Sequence, residues 1–159
     1  MGHYETAQIC LNGHVITSSI EISPNLAKNY CPHCGAPTTS KCDYCSDRIL
    51  GHYRIPGAIV PTYYSPPSYC HNCGEPYPWT TRTIETASLL IQEDEQLSSE
   101  DKETLASSII DLLTESPKTQ LAITRYNKFV SKAVQITGQG LRDLLIDIVS
   151  ESVKKSLWP

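Results

Sequence analysis

Three cysteine pairs, Cys31 with Cys34, Cys42 with Cys45 and Cys70 with Cys73, constrain this chain more than any other feature. A tight turn over that spacing aims both sulfurs at one ion while backbone amides hydrogen-bond to them. Zinc closes a structural site with four such ligands in tetrahedral array. Three pairs give six ligands, and Cys10 is a seventh. Two closed sites need eight. His14 completes the set best, because Cys10-Leu-Asn-Gly-His14 spans a short turn in which Asn12-Gly13 suits positive φ. His52 is the alternative. The predicted ligands are Cys10, His14, Cys31, Cys34, Cys42, Cys45, Cys70 and Cys73, for two structural zinc ions per chain. On either side of the first pair, Ala7-Gln8-Ile9 and Val15-Ile16-Thr17 read as the arms of a hairpin. His33 and His71 sit inside their turns and face outward, and His3 belongs to a frayed terminus.

Other chemistry also uses paired cysteines. A disulfide framework wants an oxidising compartment and an even cysteine count, neither of which is indicated. A thioredoxin-like centre has one such pair beside a βαβ pattern, which is absent. Iron–sulfur ligation is open to the same pairs, but the interleaved Gly, Pro and Tyr favour zinc knuckles. The ligands then pair in one of two ways. Sequential sites join Cys10 and His14 to Cys31 and Cys34, and Cys42 and Cys45 to Cys70 and Cys73. A cross-brace joins alternate pairs. Only seven residues separate Cys34 from Cys42, short for a hairpin but ample for a connector, which favours the sequential arrangement.

The knuckle Cys31-Pro-His-Cys34-Gly35-Ala36-Pro37 resembles that of zinc-ribbon proteins, and Cys70-His-Asn-Cys73-Gly74-Glu75-Pro76 repeats it. With Ile9-Cys10-Leu-Asn-Gly-His14-Val15-Ile16 before them and Tyr77-Pro78-Trp79 after, the pattern is similar to an uncharacterised bacterial family, domain of unknown function 2321. The resemblance covers the whole chain, with its specific motifs in residues 9–79. It implies a bacterial source and a double zinc ribbon, and it brings no established activity.

Composition divides the chain. All seven cysteines and all five histidines lie by residue 73, and nine of eleven prolines precede Trp79. From Thr80 the sequence turns to Leu, Ile, Ser, Glu and Lys. This predicts a small α+β protein, with a zinc-ribbon module of short hairpins and knuckles over residues 1–79 and a bundle of about four helices over 80–159. Ile84, Ala87, Leu90 and Ile91 mark one helical stripe, and Leu105, Ile109, Leu112 and Leu113 another. Ser116-Pro117 starts a third helix that buries Ala122, Tyr126, Phe129, Val130 and Ala133 and stops near Gly138. Gly140 opens a fourth, carrying Leu141, Leu144, Leu145, Ile148 and Val149, with Lys154 and Lys155 at its C-terminal end. Glu93-Asp94-Glu95 reads as a solvated linker.

Between the knuckles, stretches 48–54 and 57–64 read as short strands or extended loop, and the run from Pro61 to Tyr69 is too proline-rich for a central strand. Its tyrosines either cover the metal sites or form a contact surface with Tyr53, Tyr63, Tyr64 and Tyr69; covering fits better, since a ring packs while its hydroxyl stays wet. Asp143, Asp147 and Glu151 share one face of the predicted last helix, a solvated face with Glu151 and Lys155 as an i, i+4 pair. No nucleophile elbow, phosphate loop or HExxH pattern is present. Metal sites filled by eight protein ligands leave no position for a catalytic water.

A binding platform is then the expected role. The formal charge is −4, and ligating thiolates on two dications would add about −3. Nucleic-acid binders need a basic stripe, and none is visible beyond Arg48 and Arg54 flanking Tyr53. The sequence therefore favours a non-catalytic adaptor with an unknown protein partner over a nucleic-acid-binding ribbon or an accessory subunit of an enzyme. The helical half offers stripes for a homo-oligomer. With no leader-like N-terminus and no membrane-length apolar run, the expected location is the cytoplasm.

Overall fold

The computed structural model describes residues 1–59 and 63–159. It divides into two compact units, Met1–Arg82 and Thr83–Pro159. The fold is small α+β, with short antiparallel strands first and five helices after them among the described residues.

In the first unit, β1 (His3–Thr6) pairs antiparallel with β5 (Leu50–Arg54), placing His3 opposite Arg54 and Thr6 opposite Leu50. His3 is thus a strand residue, not a frayed end. The anticipated hairpin is β2 (Gln8–Cys10) and β3 (Val15–Thr17), and β4 (Thr38–Thr39) adds to the other side of β2. A short 3₁₀ turn covers Pro24–Leu26. Ala7 joins the two sheets, its N–H donating to the Ile49 carbonyl at 3.0 Å. The buried apolar set is small: Ala7, Ile9, Ile49, Tyr77 and Trp79, packed with Cys42 and Cys70. Tyr77 stacks on Trp79 at 4.7 Å, and Trp79 Nε1 donates to the Pro67 carbonyl at 2.9 Å. These contacts fix the start of α1 (Pro78–Gln92), where Pro78 needs no partner for a missing N–H. In stretch 57–64, read as short strand or extended loop, Gly57 lies in a turn and Ala58 in a bend, and Val60, Pro61 and Thr62 lie outside the described residues.

The second unit is built from helical stripes. On α2 (Ser99–Leu113), Leu105, Ile109, Leu112 and Leu113 are buried as their spacing predicts, and Ser98 caps the helix by accepting from Asp101 N at 3.1 Å. α3 (Thr119–Val130) buries Ala122, Ile123, Tyr126 and Phe129. α4 (Gln135–Leu145) contributes Leu141 and Leu145, and α5 (Glu151–Leu157) contributes Val153 and Leu157. Tyr126 meets Trp158 edge-on at 5.9 Å. No helix among the described residues is long and apolar enough to cross a membrane.

Three expectations fail here. The third helix ends at Val130 rather than near Gly138, and Gly138 and Gly140 lie inside α4 instead of bounding helices. Close packing explains the glycines better than helix termination: a Cβ at Gly140 would come within 2.6 Å of Leu90 Cδ2. The predicted last helix is two helices, because Ser150 starts α5 by accepting from Val153 N at 3.3 Å. That break leaves Asp143, Asp147 and Glu151 on different elements, and the ion pair that forms is Glu151 with Lys154 at 3.2 Å. Finally, Asp94 is no solvated linker. It is 3% exposed, and its carboxylate accepts from Gln96 N, Leu97 N and Val134 N at 2.8, 3.0 and 2.8 Å. Asp94 thereby caps α4 from 40 residues away, where Val134 has no side-chain cap of its own.

Candidate metal centres

The three cysteine pairs sit on three copies of one loop. In each, the first cysteine's N–H donates to a carbonyl five residues on, and the N–H after the second cysteine returns to the first cysteine's carbonyl. The bonds are Cys31 N to Ala36 O and Gly35 N to Cys31 O, Cys42 N to Asp47 O and Ser46 N to Cys42 O, Cys70 N to Glu75 O and Gly74 N to Cys70 O, at 2.7–2.9 Å. Single antiparallel bridges close the loops at Tyr30 and Pro37, Lys41 and Arg48, Tyr69 and Pro76. The residue after the second cysteine must take positive φ: Gly35 at 73°, Gly74 at 79°, and Ser46 at 63°. A side chain in that region costs about 1 kcal/mol. Ser46→Gly is therefore expected to stabilise the first unit by roughly that amount. A chemical-denaturation midpoint that stays put or falls would show instead that the Ser46 side chain supports the turn.

The fourth ligand pair has a different local origin. Cys10 ends β2 and His14 precedes β3, joined by a turn in which Gly13 N donates to Cys10 O and Cys10 N to His14 O, both at 2.9 Å. Gly13 has φ 94°, the conformation that Asn-Gly suits.

Two tetrads result, Cys10 with His14, Cys31 and Cys34, and Cys42 with Cys45, Cys70 and Cys73; in each, all ligand atoms lie within 4.8 Å of one another. The grouping is the sequential one. A tetrahedral zinc–thiolate site has sulfur-to-sulfur edges of ~3.7 Å, from bonds of about 2.3 Å. Cys10 to Cys34 is 3.7 Å, Cys42 to Cys73 3.7 Å and Cys45 to Cys70 3.6 Å. His14 Nδ1 stands 3.4 Å from Cys10 Sγ and 3.6 Å from Cys31 Sγ. Each tetrad is thus geometrically suited to one metal ion. Backbone amides aim at the sulfurs as well, His14 N to Cys10 Sγ at 3.3 Å and His33 N to Cys31 Sγ at 3.4 Å.

The electrostatics point the same way. The Ala36 N–H, with the Asn12 amide, draws the Cys34 thiol down to about 6. Burial pushes Cys70 up, but the Cys73 and Asn72 N–H groups and neighbouring sulfurs outweigh it and bring it to about 6. The Glu75 N–H favours the Cys73 thiolate, yet burial and the sulfurs of Cys42, Cys70 and Cys45 push Cys73 up to about 12. Burial likewise raises Cys10. Sulfurs this close cannot all ionise without a cation among them, and a divalent ion removes that conflict.

The remaining histidines stand outside both tetrads. His52 packs edge-on against Tyr64 at 5.5 Å, exposed His33 has its ring 5.5 Å from that of His14, and exposed His71 meets Asp47 at 3.3 Å. The tyrosines divide. Tyr64 packs against the buried set around Cys42 and Cys70 and donates to the Leu50 carbonyl at 2.6 Å, while Tyr53 rests on Tyr4 at 4.8 Å and Tyr63 is exposed. Tyr69 is half-buried. Three residues beside the tetrads escape a reading of the sequence: Asn12, which reads as a turn residue, Arg82, and Tyr77, whose buried hydroxyl lies beside Cys70.

Comparison with known proteins finds no match among curated proteins and none among solved structures. The knuckle loops and the helices after them nonetheless follow one family pattern, whose model matches residues 3–157. The chain belongs to the family described as uncharacterized protein conserved in bacteria (DUF2321).

Proposed function

We propose that each tetrad binds one structural zinc ion through Cys10, His14, Cys31 and Cys34 or through Cys42, Cys45, Cys70 and Cys73, and that the chain is a non-catalytic protein-interaction adaptor working in the cytoplasm. The observation that carries the zinc reading is the ligand spacing: four protein donors per site within 4.8 Å of one another, with edges of 3.4–3.7 Å from Cys10 to His14 and Cys34, from Cys31 to His14, from Cys42 to Cys73 and from Cys45 to Cys70. Four protein ligands fill such a site, which makes its role structural. Seven free cysteines fit a reducing compartment. Elemental analysis of the purified chain is expected to give two zinc ions. A value near one, or an iron chromophore, sinks the two-site reading.

The adaptor reading is favoured over nucleic-acid binding by what the basic residues do. Arg54 Nε donates to buried Glu5 at 2.5 Å, and Arg48 Nη1 donates to the Tyr4 carbonyl at 2.7 Å. Each guanidinium is anchored to the fold by one bond, and the Arg54 charge is offset by Glu5, which lowers the net positive charge of this pair. Short single- and double-stranded DNA and RNA at low salt are expected to show no micromolar binding. Binding that weakens steeply with salt and disappears in Arg48→Ala with Arg54→Ala would put nucleic acid first, because each neutralised phosphate releases a counterion. Homo-oligomerisation through the helical unit is part of the same proposal, with exposed Leu89, Leu121 and Ile136 as contacts. A sedimentation mass of one chain at high concentration would remove it.

A further inference from the structure

We infer that Arg82 and Asn12 form a relay that holds Cys34 as a metal ligand of the first tetrad. The inference rests on the metal reading above and adds two positioning residues to it. Cys34 is the exposed sulfur of its tetrad, whereas Cys10 and Cys31 are buried. An exposed thiolate is the ligand most open to water and to competing electrophiles. Asn12 Nδ2 donates to Cys34 Sγ at 3.4 Å, and Arg82 Nη1 donates to Asn12 Oδ1 at 2.7 Å.

The chemistry of the three groups fixes the direction of the relay. A guanidinium only donates, so the Asn12 oxygen must face Arg82. That orientation turns the amide nitrogen, which also only donates, onto the sulfur. The charged bond to the oxygen polarises the amide and strengthens its N–H toward a thiolate. Three thiolates and a neutral imidazole around a dication leave a net charge of about −1, which the guanidinium offsets through the amide.

Outer partners of this kind change metal affinity by roughly 10- to 100-fold when removed. The test uses the full chain loaded with cobalt(II), whose d–d and sulfur charge-transfer bands distinguish a three-sulfur, one-nitrogen site from a four-sulfur one. Asn12→Ala and Arg82→Met are each expected to weaken the three-sulfur site about tenfold or more. Both should speed alkylation of Cys34 in the zinc form, read by mass spectrometry. The double variant should be no worse than Asn12→Ala alone, since Arg82 acts through Asn12. Arg82→Lys, still able to donate, should retain more affinity than Arg82→Met. The four-sulfur bands in the same sample report an intact fold. Wild-type protein that takes up no cobalt overturns the metal reading and this inference with it. Normal uptake with an unchanged three-sulfur site in Arg82→Met, or additive losses in the double variant, overturns the relay alone.

Discussion

Chelation of the metal is expected to unfold the first unit and leave most of the helical signal in place. Among its described residues the first unit has five buried apolar residues besides cysteine around which to fold, Ala7, Ile9, Ile49, Tyr77 and Trp79. Burial of each larger one contributes about 2 kcal/mol, while ordering each residue costs ~1–2 kcal/mol. A core of that size cannot hold 82 residues. The two structural zinc ions proposed here, at about 10 kcal/mol or more each in small zinc modules, would supply the difference. The knuckle loops make the dependence sharper, because the thiolates that the metal needs repel one another once it leaves. The second unit has its own core on α2 to α5, with Leu105, Ile109, Leu141 and Leu145 fully buried. Far-ultraviolet circular dichroism before and after chelation reads the helices. Fluorescence of Trp79, now 4% exposed, reads the first unit against Trp158 in the second when each is changed to Phe in turn. Cys70→Ser should reproduce the loss at the second tetrad without a chelator. Retention of Trp79's buried emission, or loss of the whole helical signal with the metal, is the result that would overturn this account.

The two tetrads are legible because such a cluster is written locally: a turn, two sulfurs and a small residue after them recur in sequence as they do in space. The hairpin carrying Cys10 and His14 was legible for the same reason, through Asn12-Gly13. Helical stripes such as Leu105, Ile109, Leu112 and Leu113 followed from period alone. What stayed hidden is long-range. Gly138 reads as a helix stop and Gly140 as a helix start because propensity ranks glycine low inside helices, yet Gly140 is small where Leu90 comes close. Glu5 sits in a strand of the terminus with nothing near it in sequence to announce Arg54, 49 residues on. Arg82 lies 70 residues from Asn12, so no local pattern connects it to a metal site. Asp94 was hidden between two other acids, Glu93 and Glu95, which are exposed as a charge run should be.

Asp94→Ala is expected to destabilise the second unit by about 2–4 kcal/mol, a large effect for a residue in an acidic loop. Removal of the carboxylate leaves the N–H groups of Gln96, Leu97 and Val134 without their acceptor, and takes the negative charge from the start of α4. For a domain of this size the loss corresponds to a fall in melting temperature of roughly 10–25 °C. Asp94→Asn keeps an acceptor oxygen but not the charge, and should lie between. Acid discriminates the charge from the shape. Burial pushes the Asp94 carboxyl up, but the Thr137 side chain and the N–H groups of Val134, Gln96 and Leu97 outweigh it and hold it below the ordinary aspartate value. A carboxyl depressed in the folded state contributes stability that is complete above its unfolded value, about 3.9. That contribution is lost as pH falls through the lower folded value. The difference between wild type and Asp94→Asn should therefore be constant from neutral pH down to about 4 and shrink below it. Thermal melts followed at the helical signal, from pH 7 to pH 2, measure this in the full chain. Acid loss of metal from the first unit is common to both proteins and cancels in the difference between them. A gap between the two proteins that stays constant to pH 2 would show that Asp94 acts through packing, and equal melting temperatures at pH 7 would remove its role as the distant cap of α4.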